Sequence, residues 1–583
     1  MTYMKLNQPF RRPSVLAVLF VVSCASAALA QSVETRSTLG GERAAIILDD
    51  FAACMPRSAI ATESVKGKWW LRDYQTAGGR TGTMLCVEER DMDNPEACLV
   101  PEVKYPVRLE GTYDIWVGAY RPVFGGGVDI RLSRDKVFGT VDPWQTGLSQ
   151  WPPPAEHTGR IVECFWKTAD LTGQDFHFRQ PRGTYGSFWW GWCQTHMAYI
   201  KLIPRDPSEV ARQAAERLKA REKGVIINRD GFSWIWNWGT DNLDCILQQV
   251  ENLQYANVDA LDFCIGGLAS ANFNHPMTSG RVGIPSGRRL GDKRARRVFQ
   301  KFYQKDTDIL KILTRRCREL GIKIYASHRF NARYQVSDVW RKHPEWRLES
   351  GRAWDLSKPP PREYCRDFLL YVAENYDIDG ITLDFSRGAR RQVNPDEPNK
   401  LEPMNRFMRD FRAGLNKIAK AKGKPLSLNV SFVCHTRYES ATPADQGLDI
   451  KTWVEEGLVD LIMPHGRDAM DYVKMCRGKT AKCYVRTSRG LDFAGQALGA
   501  HHHDPRADED KKDRPVIQRW FPLDYIKELL KWYDAGADGV FLFNLSDGWV
   551  THRNLGYPRL LREEVATGQP FGMRERSPVK WME

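Results

Sequence analysis

After Gly224 the chain repeats one arrangement eight times: a short apolar, β-branched run, then a longer stretch of helical periodicity. The runs are GVIINRD, VDALDFCI, KIYASHRF, DGITLDF, LSLNVSFV, LVDLIMP, KCYVRTS and GVFLFNL, between residues 224 and 560. Between them, Met404, Phe407, Met408, Phe411, Leu415 and Ile418 form one helical stripe. A second helical pattern, Leu523 to Ala535, stops at Gly536. Eight strand–helix repeats fit a (β/α)8 TIM barrel, in class α/β. A doubly wound open sheet is the runner-up. It would carry a glycine-rich phosphate turn after its first strand, where NRDGFSWIWNWG instead offers tryptophans.

Residues 31–204 follow a different period. Runs such as GTYDIWVGAY, GVDIRLS and HMAYIKLIP alternate with a period near two and are separated by Gly, Pro and Asp. That is the signature of an all-β sandwich preceding the barrel. The charged segment 205–223 reads as a linker helix, and 561–583 as a C-terminal tail.

The first thirty residues read as a targeting segment. Lys5, Arg11 and Arg12 precede SVLAVLFVVS, and Ala28-Leu29-Ala30 offers a small-x-small cleavage site. A competing reading takes VVSC as a lipobox that lipidates Cys24. Either implies an exported protein, periplasmic or extracellular, or an outer-membrane lipoprotein in the second case. No later segment has the eighteen uninterrupted apolar residues that a membrane span would need. Export makes disulfides among Cys54, Cys86, Cys98, Cys164 and Cys193 an expectation. Cys264, Cys317 and Cys365 lie in apolar patterns and read as small buried hydrophobes.

The net charge is +13. A basic chain suits an anionic partner, but nucleic acid is excluded as a reading: no zinc-finger spacing or long basic block is present beyond Arg288 to Arg297. No cofactor or metal is implied. The run His501 to Asp513 reads as a solvated loop, because adjacent histidines lack a scaffold that converges on one ion.

The stretch YDIDGITLDFSRG ends a core strand in a charge. Ile381, Leu383 and Phe385 share one parity and suit the helix layer. Thr382, Asp384 and Ser386 share the other and face the barrel interior. Since barrels place their chemistry at the carboxyl ends of strands, Asp384 is aimed into the mouth with Arg387 just beyond. The alternative is a structural ion pair between Asp384 and an arginine.

YDIDGITLDFSR, GIKIYASHRFNARY and LSLNVSFVCHTRYESATPADQGLDIKTWVEEGLVDLIMP resemble the fourth, third, and fifth-to-sixth strand segments of the glycosyl-hydrolase-like family 10 barrels. The first half resembles galactose-binding-type jelly rolls, with LEGTYDIWVGAY near its centre. These resemblances imply a glycoside hydrolase acting on a polysaccharide or oligosaccharide, with Asp384 as nucleophile or principal carboxylate. Such chemistry needs a second carboxyl group. Glu439 is the first choice; Asp468, Asp492 and Asp547 are rivals.

The other strand ends supply Asp230, Asp262, His328, Arg329, Asn331, His435, Arg437, His465, Arg486, Asn544 and Asp547 as a polar mouth. All but Asp262 are candidate sugar contacts, together with Arg387 and Trp236. Arg329, Arg333, Arg387, Arg437 and Arg486 could grip an anionic, uronic or sulfated glycan, or pair with the site's own acids. Trp234, Trp236 and Trp238 could stack on sugar rings or pack beneath the first domain. Three functions follow as readings: an exported polysaccharide hydrolase, a non-catalytic glycan-binding protein on the same barrel, and an enzyme trimming bacterial cell-wall glycans.

Overall fold

The computed structural model describes residues 32–34, 44–87, 99–121, 127–143, 159–181, 195–231, 243–268, 270–273, 275–278, 298, 301–302, 308–330, 338–350, 353–386, 391–435, 442–466, 468–486, 522–543, 553–568 and 571–582.

The second half closes into a parallel barrel. Its strands are β1 (Gly224–Arg229), β2 (Ala260–Gly267), β3 (Lys323–Arg329), β4 (Gly380–Asp384), β5 (Ser427–Val433), β6 (Leu461–His465), β7 (Lys482–Val485) and β8 (Gly539–Phe543). Each pairs in parallel with the next, and β8 pairs back onto β1, Gly224 facing Gly539. Ile381, Leu383 and Phe385 pack into the layer between barrel and helices, with Phe385 4.7 Å from the Phe330 ring. The predicted stripe lies on helix Glu402–Lys422, where Met404, Phe407, Met408, Phe411 and Leu415 are all buried. That helix ends at Gly423 in the left-handed conformation, a common helix stop.

The first half is an antiparallel β-rich domain of two sheets. The smaller runs Val103–Tyr105, Phe176–Arg179, Val128–Leu132, Gly139–Val141. The larger contains Thr195–Arg205, Thr81–Val87, Trp69–Thr76, Arg160–Asp170 and Thr112–Arg121, and is hydrogen-bonded round into a ring because Thr195–Arg205 also pairs with Thr112–Arg121. A separate core of Ile47, Tyr74, Met84, Cys86, Ile161, Ala198 and Tyr199 packs on one of its faces.

The C-terminal segment departs from the expected tail. Strand Met573–Trp581 enters the larger sheet of the first domain, between Trp69–Thr76 and Arg160–Asp170. The disulfide expectation is also corrected for two of the described cysteines: Cys54 and Cys164 are free and buried, as are Cys264, Cys317 and Cys365. Cys98 and Cys193 lie outside the described residues.

The two domains are joined by polar contacts as well as by chain. Helix Pro207–Lys219 starts from Asp206, whose carboxylate accepts from the backbone of Ser208 and Glu209. Arg179, in an ion pair with Asp129 at 2.9 Å, donates across to Gln248 at 3.3 Å. Thr140 receives Gln248 Nε2 at 2.7 Å and donates its own amide to Asn252 at 3.0 Å. Arg553, buried just past the barrel, donates to the carbonyls of Phe165 and Trp166.

Candidate active site

Inward positions on a barrel strand recur every second residue and stack into layers. The deeper part is apolar: Ile226, Ala260, Tyr325, Leu461, Met463 and Phe541 form one cluster that spans successive layers. Two residues further along, the layer turns polar with Asn228, Asp262, Ser327, Thr382 and Asn429, all at most 2 % exposed. Asn228 Nδ2 donates to Asp262 Oδ2 at 2.6 Å, and Asn429 Nδ2 to Thr382 Oγ1 at 3.3 Å. The next layer, at the carboxyl ends, carries Arg329, Asp384, Ser431 and Arg486, with Asp230 just past the end of β1.

Asp384 occupies the predicted parity and is 5 % exposed. Its Oδ1 accepts from the Ser386 amide at 2.8 Å and the Ser386 hydroxyl at 2.6 Å. Its Oδ2 lies 3.6 Å from Arg329 Nε. Arg486 Nη1 donates to the Ser386 hydroxyl at 3.0 Å, and its guanidinium lies 4.4 Å from the Phe543 ring centre. The barrel thus surrounds one carboxylate with two guanidinium groups and a hydroxyl.

Asp230 reaches the same region. The thiol of Cys264, pushed up to about 11 mainly by burial, feels Arg329, Asp384 and Asp230 together. Asp230 is positioned by the turn after it. Gly231 has φ +67°, and a Cβ there would lie 2.0 Å from the Cys264 carbonyl oxygen. Asn272 Nδ2 pins that turn, donating to Cys264 O at 2.7 Å and Gly231 O at 3.2 Å.

No protein-family model matches the chain, and no curated protein sequence matches it. Its structural neighbours are glycoside hydrolases. A family 36 α-galactosidase from Geobacillus stearothermophilus aligns with a TM-score of 0.31 and 12 % identity, over 80 % of this chain and 63 % of that one. The chain therefore spans under two thirds of that enzyme's length. A β-(1,4)-mannanase from Podospora anserina aligns with a TM-score of 0.25 and 9 % identity, over 89 % and 95 % of the two chains. A family 18 N-acetylglucosaminidase from Paenibacillus barengoltzii aligns with a TM-score of 0.33 and 13 % identity, over 58 % and 99 %. Likenesses this distant assign no activity.

Two sequence-predicted residues leave the mouth. His328 sits on the opposite parity from Arg329 and faces the helix layer. Its ring lies 5.4 Å from Phe330 and 5.1 Å from Phe368, and burial, with the His275 charge adding, pushes it down to about 3. A neutral imidazole buried among aromatic rings is core, so it does not contact a substrate in the barrel. Asp262 does face inward but lies one layer too deep, 0 % exposed. Burial pushes its carboxyl up to about 6, opposed by Thr382 and Asn228 and reinforced by the charge of Asp384.

His435 and Asp468 form an exposed rim pair, Nδ1 to Oδ2 2.9 Å. His465 ends β6, half-buried, and bridges to Arg486 through the backbone. Glu439, Trp236, Asn331, Arg387, Arg437, Asn544 and Asp547 lie outside the described residues. So do Trp234, Trp238, Arg333, Asp492 and the run His501 to Asp513. Ser386, Asn228, Ser327, Asn429 and Phe543 were not read as site residues. For the first four the signal is in the sequence: each shares parity with a residue read as part of the site. Among the described residues, no cluster of three or more His, Cys, Asp or Glu could hold a metal.

Proposed function

We propose that the chain is an exported glycoside hydrolase that cleaves a polysaccharide, with Asp384 as nucleophile or principal carboxylate. The observation that supports this most is the convergence of Asp384, Arg329, Asp230 and Arg486 at the carboxyl end of a closed parallel barrel, where such folds carry their chemistry. A nucleophilic carboxylate must be oriented as well as charged. Ser386 fixes one oxygen of Asp384, and Arg329 faces the other. Glu439 is the proposed proton donor, with Asp468, Asp492 and Asp547 as rivals.

An anionic glycan, uronic or sulfated, remains part of this reading, carried by the five arginines. The two that are described, Arg329 and Arg486, already engage Asp384 and Ser386. Kinship with the family 10 barrels, a galactose-binding jelly-roll order and sugar binding in the first domain, and a lipid anchor at Cys24 also belong to the proposal.

A second reading is favoured by a specific observation. Asp384 is buried and both of its oxygens face partners within the chain, which suits a glycan-binding barrel without turnover. A panel of polysaccharides separates the two. For a hydrolase, wild type cleaves at least one, and Asp384→Asn lowers kcat by about 100-fold or more while binding persists. Binding without turnover in wild type establishes the second reading. Equal rates on a glycan and its desulfated or carboxyl-reduced form remove the anionic substrate.

A further inference from the structure

The hydrogen bonds around Asp384 have fixed directions. A guanidinium carries donors and no acceptor, so the Ser386 hydroxyl oxygen accepts from Arg486 Nη1, at 3.0 Å, through a lone pair. The hydroxyl hydrogen of Ser386 then goes to Asp384 Oδ1, 2.6 Å away. The Ser386 amide, a donor by nature, points at the same Oδ1 at 2.8 Å. A proton or a carbon arriving at Oδ1 would have to displace both donors. Oδ2 is different: it faces Arg329 Nε at 3.6 Å, beyond hydrogen-bond length. Arg486 is itself firmly held. It follows β7 and reaches past β5 and β6 to the end of β4, and it is 7 % exposed. Its amide donates to the Pro464 carbonyl at 3.1 Å, and its guanidinium lies 4.4 Å from the Phe543 ring centre.

We propose that Arg486 is a positioning residue that acts through Ser386, locking Asp384 Oδ1 as an acceptor and reserving Oδ2 for the reacting carbon. Arg486 is thereby assigned to the protein's own carboxylate and not to a sugar. The catalytic consequence rests on the hydrolase reading; the chain of hydrogen bonds does not. With Asp384 as nucleophile, a lone pair of Oδ2 forms the bond to the anomeric carbon. The glycosidic C–O bond breaks with its electron pair on the departing oxygen, and the second carboxyl group gives that oxygen a proton. Water then bonds to the same carbon and yields a proton to that second group, while the bond to Oδ2 breaks and returns its pair to Asp384.

On any glycan that wild type cleaves, Ser386→Ala and Arg486→Met should each lower kcat about 10-fold or more, with KM within about twofold. Ser386→Thr, which keeps the hydroxyl, should recover most of the loss. On top of Ser386→Ala, Arg486→Met should cost less than about twofold more, because its path to Asp384 is already cut. A raised KM at unchanged kcat in Arg486→Met marks a sugar contact and overturns the proposal, as do losses that multiply. A second readout needs no substrate: full-length protein with aspartate-selective carboxyl 13C labelling, observed by NMR at one fixed pH. The Asp384 signal, identified by its absence in Asp384→Asn, should move in Arg486→Met. In the double variant it should stay where Ser386→Ala puts it. A signal that Arg486→Met leaves in place overturns the proposal. If that variant does not fold, Arg486→Lys, which lacks the planar fork, takes its place in both readouts with the same signs. Should wild type cleave nothing, the hydrolase reading falls while the carboxyl signal still decides Arg486.

Discussion

Glu564 is, like Asp262, a carboxyl group that folding strips of water. It is 5 % exposed, accepts from Asn554, and burial pushes it up to about 7. An unfolded glutamate titrates near about 4.3. Between those values the folded chain holds a proton that the unfolded chain has released. Stability should therefore fall as pH rises from about 4 to about 7, by roughly 3 kcal/mol in total, and then level off. Glu564→Gln should flatten that slope; urea unfolding of both proteins at pH 5 and pH 8 checks it. The side of a strand on which a residue lies is legible from its parity. Asp384 was placed inward by counting along DGITLDF, and Asp384 is inward. His328 and Arg329 cannot both face the mouth, because adjacent residues on a strand point to opposite faces; the aromatic rings claim the histidine. Depth is a different matter. Nothing in FCI distinguishes Asp262 as buried from Asp230 as the end of its strand, because barrel shear sets the height of each side chain.

At the scale of elements, the turn after β1 decides where Asp230 points. Gly231→Ala would force a left-handed residue against the carbonyl of Cys264 and displace Asn272. The expected cost is about 2–4 kcal/mol, larger than φ strain alone, measurable as a lowered denaturation midpoint. The eight barrel strands and several of their helices are legible because they repeat a strong local pattern: β-branched run, helical stripe and, as at Gly423 and Gly536, a glycine stop. Residues Met404 to Leu415 bury the face their spacing marked. The ring closure of the first domain's larger sheet was not legible. Period-two alternation says which residues share a face, but not which strand is the neighbour, and Thr195–Arg205 has three neighbours.

On the scale of the whole molecule, the strand Met573–Trp581 ties the stretch after the barrel back to the domain that precedes it. Sequence gave no reason to expect this, since RERSPVKW has neither a long apolar run nor a turn partner nearby. A chain ending at Gly572 would leave Trp69–Thr76 and Arg160–Asp170 as facing edges with unpaired backbone groups, a hazard for aggregation. Such a truncation is expected to lose the soluble first domain while the barrel persists; limited proteolysis followed by mass measurement reads which fragments survive. The barrel is also held by Arg553 and the Arg179–Gln248 contact, so the domains are expected to stay attached in wild type at moderate salt.

The same strand imposes an order on synthesis. A ribosome delivers the other strands of the first domain before the barrel, and the strand that completes their sheet only after it. Until then the gap must stay open, shielded or unfolded, while more than three hundred residues of barrel emerge and begin to close. Final assembly of the front half therefore waits on the back half, and anything fused after Trp581 stands at the margin of that sheet.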